Sequence, residues 1–199
     1  MPRRYRMDAR ATAVEQTRQH IVEAAKNLHA EHGFLGTSYE EIARQANVAT
    51  ATVYRQFPSL SDLIPACARS IPVFHQVDDD EVAALFRGIA DPFRRLEWLI
   101  RGTCDCYERD GNWINAAWRE EGLVPAAGAV VRVQEESLQR LVRAAVDGTS
   151  ASARTLKVLV ALIDFPFWQS LRRAGLSSAE AVDQIVALVR DQLSGEDDE

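Results

Sequence analysis

Residues 33–63 read GFLGTSYEEIARQANVATATVYRQFPSLSDL, and the caps and breaks in this stretch decide the fold. Gly33 follows an apolar stripe of Ile21, Ala24, Ala25 and Leu28 and ends that helix, read from about Ala13 to Glu31, in the manner of a C-cap. Ser38-Tyr39-Glu40-Glu41 is a capping box that opens a short helix through Ala46; Thr37 with Glu40 gives the same signal one residue earlier. A break at Asn47-Val48 follows. A second short helix runs from about Ala49 to Gln56 and stops before Pro58, and Ser61-Asp62 starts another with Leu63, Ile64 and Cys67 inward. Two short helices joined by a tight turn make a helix-turn-helix. Small residues at Ala43, Ala46 and Ala49 let the two helices cross closely, with Val48 and Val53 packing beneath.

Helical periodicity continues beyond this stretch. Ile71-Pro72 punctuates the chain. Further helices are read at Asp78–Ala90, Pro92–Arg109, Trp113–Glu121, Ala126–Val146, Ala151–Ala174 and Ser178–Leu193. Asp110-Gly111, Asp147-Gly148 and Ala174-Gly175 are the turn signals between them, and Pro166 is expected to kink the fifth. No segment alternates with the period of a strand. The predicted fold is all-α: an N-terminal three-helix helix-turn-helix head, then an α-helical bundle. The expected organisation is a basic flexible tail at 1–10, the head at 11–72 with its motif at about 38–57, a second domain at 73–194 and an acidic tail at 195–199.

Composition narrows the function. The chain has 199 residues, 47% hydrophobic and 26% charged, which is long enough to bury a core and too balanced for a disordered polyelectrolyte. No apolar run approaches the roughly 18 residues of a membrane span, and MPRRYRMDAR has no apolar stretch behind its basic residues, so neither a membrane partner nor a signal peptide is expected. Three cysteines make no disulfide framework, and a reducing, cytoplasmic setting is expected. The net charge of −6 divides unevenly. Residues 1–71 carry nine Lys/Arg against seven Asp/Glu, whereas residues 72–199 carry fourteen against twenty-two. A mildly basic head on an acidic body suits a DNA-binding protein.

The outward face of the second short helix offers Thr50, Thr52, Tyr54 and Arg55. Thr can meet a phosphate or a thymine methyl, Tyr can donate to a phosphate, and Arg can grip guanine with two parallel hydrogen bonds. A major groove about 12 Å wide admits one such helix.

This stretch resembles the N-terminal module of the TetR family of transcriptional repressors. The resemblance covers about 50 residues, Thr17 to Ala68, through Gly-Phe at 33–34, Thr-Ser at 37–38, Ile-Ala at 42–43, Ala-x-Val at 46–48, Thr-Val-Tyr at 52–54, Phe-Pro-Ser at 57–59 and Leu63. A looser match lies at Phe167-Trp168-Gln169-Ser170-Leu171 with Gly175-Leu176-Ser177. The resemblance implies that Thr37 or Ser38 caps the support helix and meets a phosphate. It implies that Thr50 and Thr52 lie at the groove-facing start of the recognition helix, that Tyr54 bonds a phosphate, and that Arg55 reaches bases or phosphates. Ala49 stands where the family has Ser, and Leu60 where it commonly has Lys; Arg44 and the N-terminal arginines are candidate replacements for the lost phosphate contacts.

The resemblance also implies a body that binds an effector and dimerises. All four Trp lie there, and an effector-binding set of Trp98, Cys106, Trp113, Trp118, Phe165 and Trp168 is expected to line an apolar pocket. Two half-sites one helical turn apart require two heads, so a homodimer is expected, its interface on the apolar faces marked by Leu159, Ile163, Phe167, Val182, Ile185 and Val189. The implied function is a repressor released from operator DNA by a small apolar or aromatic effector. The alternative is a helical small-molecule-binding protein without DNA binding. An enzyme is not expected. His29 and His32 have no metal-ligand partner at a suitable spacing, and no nucleophile elbow, P-loop or dinucleotide fingerprint is present. No cofactor and no metal are expected.

Overall fold

Helix α1 (Arg3–His32) ends where Gly33 turns left-handed at φ +81°. The computed structural model describes residues 3–194, with side chains from Thr12 onward. The helix begins ten residues before the predicted start at Ala13, across the segment read as a flexible tail. Nothing between Arg3 and Ala13 stops a helix: there is no Pro or Gly, and Ala9, Ala11, Arg3, Arg4, Arg6 and Met7 are good helix formers. The acidic tail at 195–199 lies outside the described residues.

The described residues are all helical, without strands. After α1 come α2 (Tyr39–Gln45), α3 (Thr50–Gln56), α4 (Leu60–Ala68), a 3-10 turn at Pro72–Phe74, α5 (Asp79–Leu85), α6 (Pro92–Glu120), α7 (Pro125–Ala145), α8 (Ala153–Ile163), α9 (Phe165–Arg173) and α10 (Ser178–Ser194).

Helix α5 stops at Leu85, short of the predicted Ala90, and two further boundaries differ from the sequence reading. Asp110-Gly111 does not turn the chain, and α6 is one helix through Glu120. Tertiary packing overrides the local turn signal: Asp110 is buried, and Gly111 lies against the rings of Phe165 and Trp168. Conversely, the stretch read as one kinked helix from Ala151 to Ala174 is two. Asp164 is extended at ψ 156° and caps α9, its carboxylate accepting the Phe165 N–H at 2.8 Å, with Pro166 in the first turn. That first turn is where a missing N–H costs least.

The chain forms two compact units. One comprises residues up to 70 together with 112–131; the other comprises 71–111 and 132 onward. The head therefore takes in the end of α6 and the start of α7 besides the predicted 11–72. In this unit α1 packs on α2 and α4, and α2 on α3. Its core includes Ile21, Ala25, Ile42, Val53, Phe57, Leu63 and Ile64, all without measurable exposure. Each large apolar side chain buried this way is worth about 1.5–3 kcal/mol. Trp113 of α6 meets Phe34 edge-on, ring centres 5.2 Å apart, which explains why this part of α6 belongs here.

In the second unit α8, α9 and α10 pack against one another. Leu159, Ile163, Val182, Ile185 and Val189 are buried in this unit. Five of the six residues expected at a dimer interface thus pack within the chain itself, and Phe167 is half-exposed. Amphipathic periodicity reveals that a helix has an apolar face, but not whether that face meets its own chain or another.

Candidate nucleic-acid interface

The helix-turn-helix is built by local hydrogen bonds. Ser38 Oγ accepts the Glu41 N–H at 3.2 Å, and Glu41 Oε2 accepts the Ser38 N–H at 2.9 Å, closing the capping box that opens α2. The Ser38 hydroxyl also donates to that carboxylate, and these bonds hold Glu41 below the usual carboxylate range. Helix α2 ends at Ala46. Asn47 is left-handed at φ 53°, and the N–H of Val48 reaches back to the Ala43 carbonyl at 2.9 Å, with that of Asn47 on the Arg44 carbonyl at 3.3 Å. This is a Schellman turn with Asn in the position usually held by Gly. It sets α3 directly across α2.

Helix α3 has Ala49 as its N-cap and no side-chain cap bond. The first N–H groups of α3 therefore have no side-chain acceptor at the cap, and that of Thr52 bonds the Ala49 carbonyl at 2.7 Å. The far end is better held. Arg18 of α1 donates Nη1 to the Gln56 carbonyl at 3.1 Å and stacks over the Phe57 ring, 4.1 Å to its centre. Arg18 went unnoticed in the sequence because nothing in its own neighbourhood signals a partner 38 residues away.

The predicted DNA-facing residues separate into two groups. Val53 is buried, while Thr50 and Thr52 are half-buried and Tyr54 and Arg55 exposed. Arg55 Nη2 donates to Thr52 Oγ1 at 3.3 Å, which keeps the guanidinium along the helix. Tyr54 is 50% exposed and leans on Tyr39, ring centres 4.6 Å apart, so its hydroxyl is carried outward on a buried support. Arg44 and Ser38 are exposed on α2 and its cap. Thr37 does not join them. It is buried, and its hydroxyl donates to the Gly33 carbonyl at 2.7 Å, so it ties the end of α1 to the turn instead of reaching outward. Of the two candidates for cap and phosphate contact, Ser38 is the cap.

Residues 21–67 match the family model described as bacterial regulatory proteins, tetR family. This N-terminal stretch is similar to the DNA-binding module of that family. The HTH-type transcriptional regulator HbdR of Aromatoleum sp. (strain CIB) is 28% identical over 91 residues, 46% of this chain and 38% of that protein. BetI of Rhizobium meliloti (strain 1021), also an HTH-type transcriptional regulator, is 36% identical over 84 residues, 42% of this chain and 40% of that protein. The matches span less than half the length of these curated relatives. The solved structure of a tetR-family transcriptional regulator from Streptomyces coelicolor shares the fold, with a TM-score of 0.67 at 20% identity over 90% of this chain and 83% of that one.

The expected effector set divides between the two compact units. Trp113 and Trp118 lie in the first unit, Trp113 fully buried and Trp118 half-buried. In the second unit Trp98 is 46% exposed and meets Phe86 edge-on, lining a shallow surface depression with Arg94, Glu97 and Arg101. Cys106 is buried beside Asp110. Only Phe165 and Trp168 share a cluster, and its third ring is Tyr107, at 5.3 and 5.6 Å between centres. A polar group completes it. Gln134 Nε2 donates to Asp164 Oδ1 at 2.8 Å and to the Tyr107 hydroxyl at 3.4 Å. Full burial, then the Asp164 charge, pushes the Tyr107 phenol well above its ordinary range. A sign of Gln134 was present in the sequence: Val131, Gln134 and Leu138 follow helical spacing, so a polar side chain occupies a position on the apolar stripe.

Among the described residues no helix is long and apolar enough to cross a membrane, and no group of three or more His, Cys, Asp and Glu could hold a metal ion.

Proposed function

We propose that this chain is a cytoplasmic DNA-binding transcriptional regulator that works as a homodimer, most simply a repressor that releases its operator when a small apolar or aromatic molecule binds the second unit. The observation that carries the DNA reading is the Schellman-turned pair α2–α3. It sets Thr52, Tyr54 and Arg55 outward from a buried Val53, on a helix whose N-terminus lacks a side-chain cap. The family match adds to it. Thr50 and Thr52 are assigned to the groove, Tyr54, Ser38 and Arg44 to phosphates, and Arg55 to a base edge.

The homodimer reading keeps Phe167 of the expected interface and moves the rest to the outer face of α8. Val158, Ala161 and Leu162 of α8 and Phe167 of α9 line an apolar surface depression of about 470 Å³, with Ala153 and Lys157 at its edge. A second copy would cover this face by two-fold symmetry. The effector reading rests on the Tyr107–Phe165–Trp168 cluster with its single polar corner, the composition usual for a small-molecule site.

A mobility-shift titration on duplex DNA from upstream of the chain's own gene, repeated across salt concentrations, tests the DNA reading. Binding that is saturable, steeply salt-dependent and weakened in Arg55→Ala is the expected result. A chain that binds small aromatic molecules but neither this DNA nor a duplex selected from a random pool would be the helical binding protein without DNA function.

A further inference from the structure

Glu120 closes α6 with its side chain turned into the turn between α1 and α2, in the same compact unit. It is only 5% exposed. Oε2 accepts the Leu35 N–H at 3.0 Å, and Oε1 accepts Nη2 of Arg119 at 2.8 Å. The same carboxylate lies against the Cα of Gly33, so closely that a Cβ there would collide with Oε1. Gly33 is thus required twice, by its positive φ and by this contact. The Glu120 main chain is held as firmly, since its carbonyl accepts the N–H groups of Leu123 and Val124 at 3.0 and 2.8 Å.

The turn that Glu120 grips leads straight into the DNA-facing residues. Leu35 follows the end of α1, where its N–H has no helical acceptor, and the carboxylate supplies one. Two residues on, Thr37 bonds back to Gly33, and the next residue is Ser38, the cap of α2. A buried carboxylate with few partners is costly to place, and replacing it with an apolar side chain is often neutral or better for stability. Its presence here is explained by position.

We propose that Glu120 is a positioning residue for DNA reading: through the Leu35 N–H it fixes the α1–α2 turn, and with it the angle at which Ser38 and α2 present α3 to the groove. This rests on the DNA-binding reading above.

The test compares Glu120→Gln, Glu120→Asp and Glu120→Ala in the full chain. The probes are a duplex enriched from a random pool by the unaltered chain and an unselected random duplex of the same length. Gln keeps an oxygen for the Leu35 N–H; Asp is one methylene too short; Ala has none. The expected result is affinity for the enriched duplex within about threefold of wild type for Gln and at least tenfold weaker for Asp and Ala. Binding to the random duplex should change by less than twofold throughout, because phosphate attraction does not depend on that angle. Should Ala fail to fold, the Gln–Asp pair decides alone. If folded Asp and Gln variants bind the enriched duplex equally well, Glu120 is only a structural residue and the proposal falls. If the unaltered chain enriches no duplex, the DNA-binding reading falls first and takes this proposal with it. If Arg55→Ala weakens enriched binding while all three Glu120 variants retain it, the DNA reading stands and the positioning role is overturned.

Discussion

His29 lies edge-on to the ring of Phe34, 4.8 Å between centres, fully buried and with neither ring nitrogen hydrogen-bonded among the described residues. Burial lowers its pKa to about 4 against an ordinary 6.5, the nearby Glu120 charge opposing only in part. Between those values the unfolded chain binds a proton that the folded chain refuses, so stability falls as the pH drops through this window. At 1.36 kcal/mol per unit the full effect is about 3 kcal/mol, of which about 2 kcal/mol develops between pH 7 and pH 5. Urea unfolding of wild type and His29→Leu at both pH values should show the variant losing that much less stability. Equal losses in the two proteins would mean that the folded state protonates this ring readily.

Arg55→Ala should weaken binding to the enriched duplex by about 1–3 kcal/mol and relax base preference at one position of each half-site. Its guanidinium is exposed and, among the described residues, bonds Thr52, so the variant should fold normally. Fluorescence anisotropy on enriched and random duplexes separates the roles. An equal loss on both would reassign Arg55 to a phosphate.

How much was legible in the sequence depended on how local each signal was. The helix-turn-helix could be read because the Ser38–Glu41 box and the Asn47 break act over three or four residues. The unbroken course of α6 could not, because Asp110-Gly111 is a turn signal locally and is overruled by packing against rings from Phe165 and Trp168. The effector set divides between the two units for a related reason. Counting Trp residues beyond position 97 located them in the chain, yet Trp113 is drawn into the head by Phe34. The Glu120–Leu35 bond joins residues 85 apart in sequence and leaves no periodic trace.

The apolar stripe of α10 shows the same ambiguity and gives a paired prediction. Ile185 is fully buried within its own chain, so Ile185→Asp should unfold the second unit, since an unpaired buried carboxylate costs several kcal/mol. Leu162 lines the outer apolar depression, and Leu162→Asp should leave a folded monomer. Light scattering with circular dichroism checks both. A Leu162→Asp protein that stays dimeric would exclude this face as the interface.

The thiols of Cys67 and Cys104 are both pushed up to about 12 by burial, so neither forms the reactive thiolate at neutral pH. Iodoacetamide should alkylate these two residues only after denaturation, as followed by peptide mass mapping. Rapid labelling of either in the native chain would reveal an opening of the helices around it.

The effector prediction now narrows to the cluster that the fold assembles. An apolar or aromatic molecule should contact Tyr107, Phe165 and Trp168, with the Gln134 amide as the nearest polar group. Residues 72–199 carry eight more acidic than basic side chains, which disfavours anions through long-range repulsion; neutral aromatics rank first and lipophilic aromatic cations second. Screening a panel of neutral, cationic and anionic aromatic compounds should find molecules that quench tryptophan fluorescence and release the enriched duplex over one concentration range. Trp168→Ala should weaken both effects together. Trp118→Phe, in the other compact unit, should leave them in place. A screen yielding only anions, or quenching that survives Trp168→Ala unchanged, would move the effector away from this cluster.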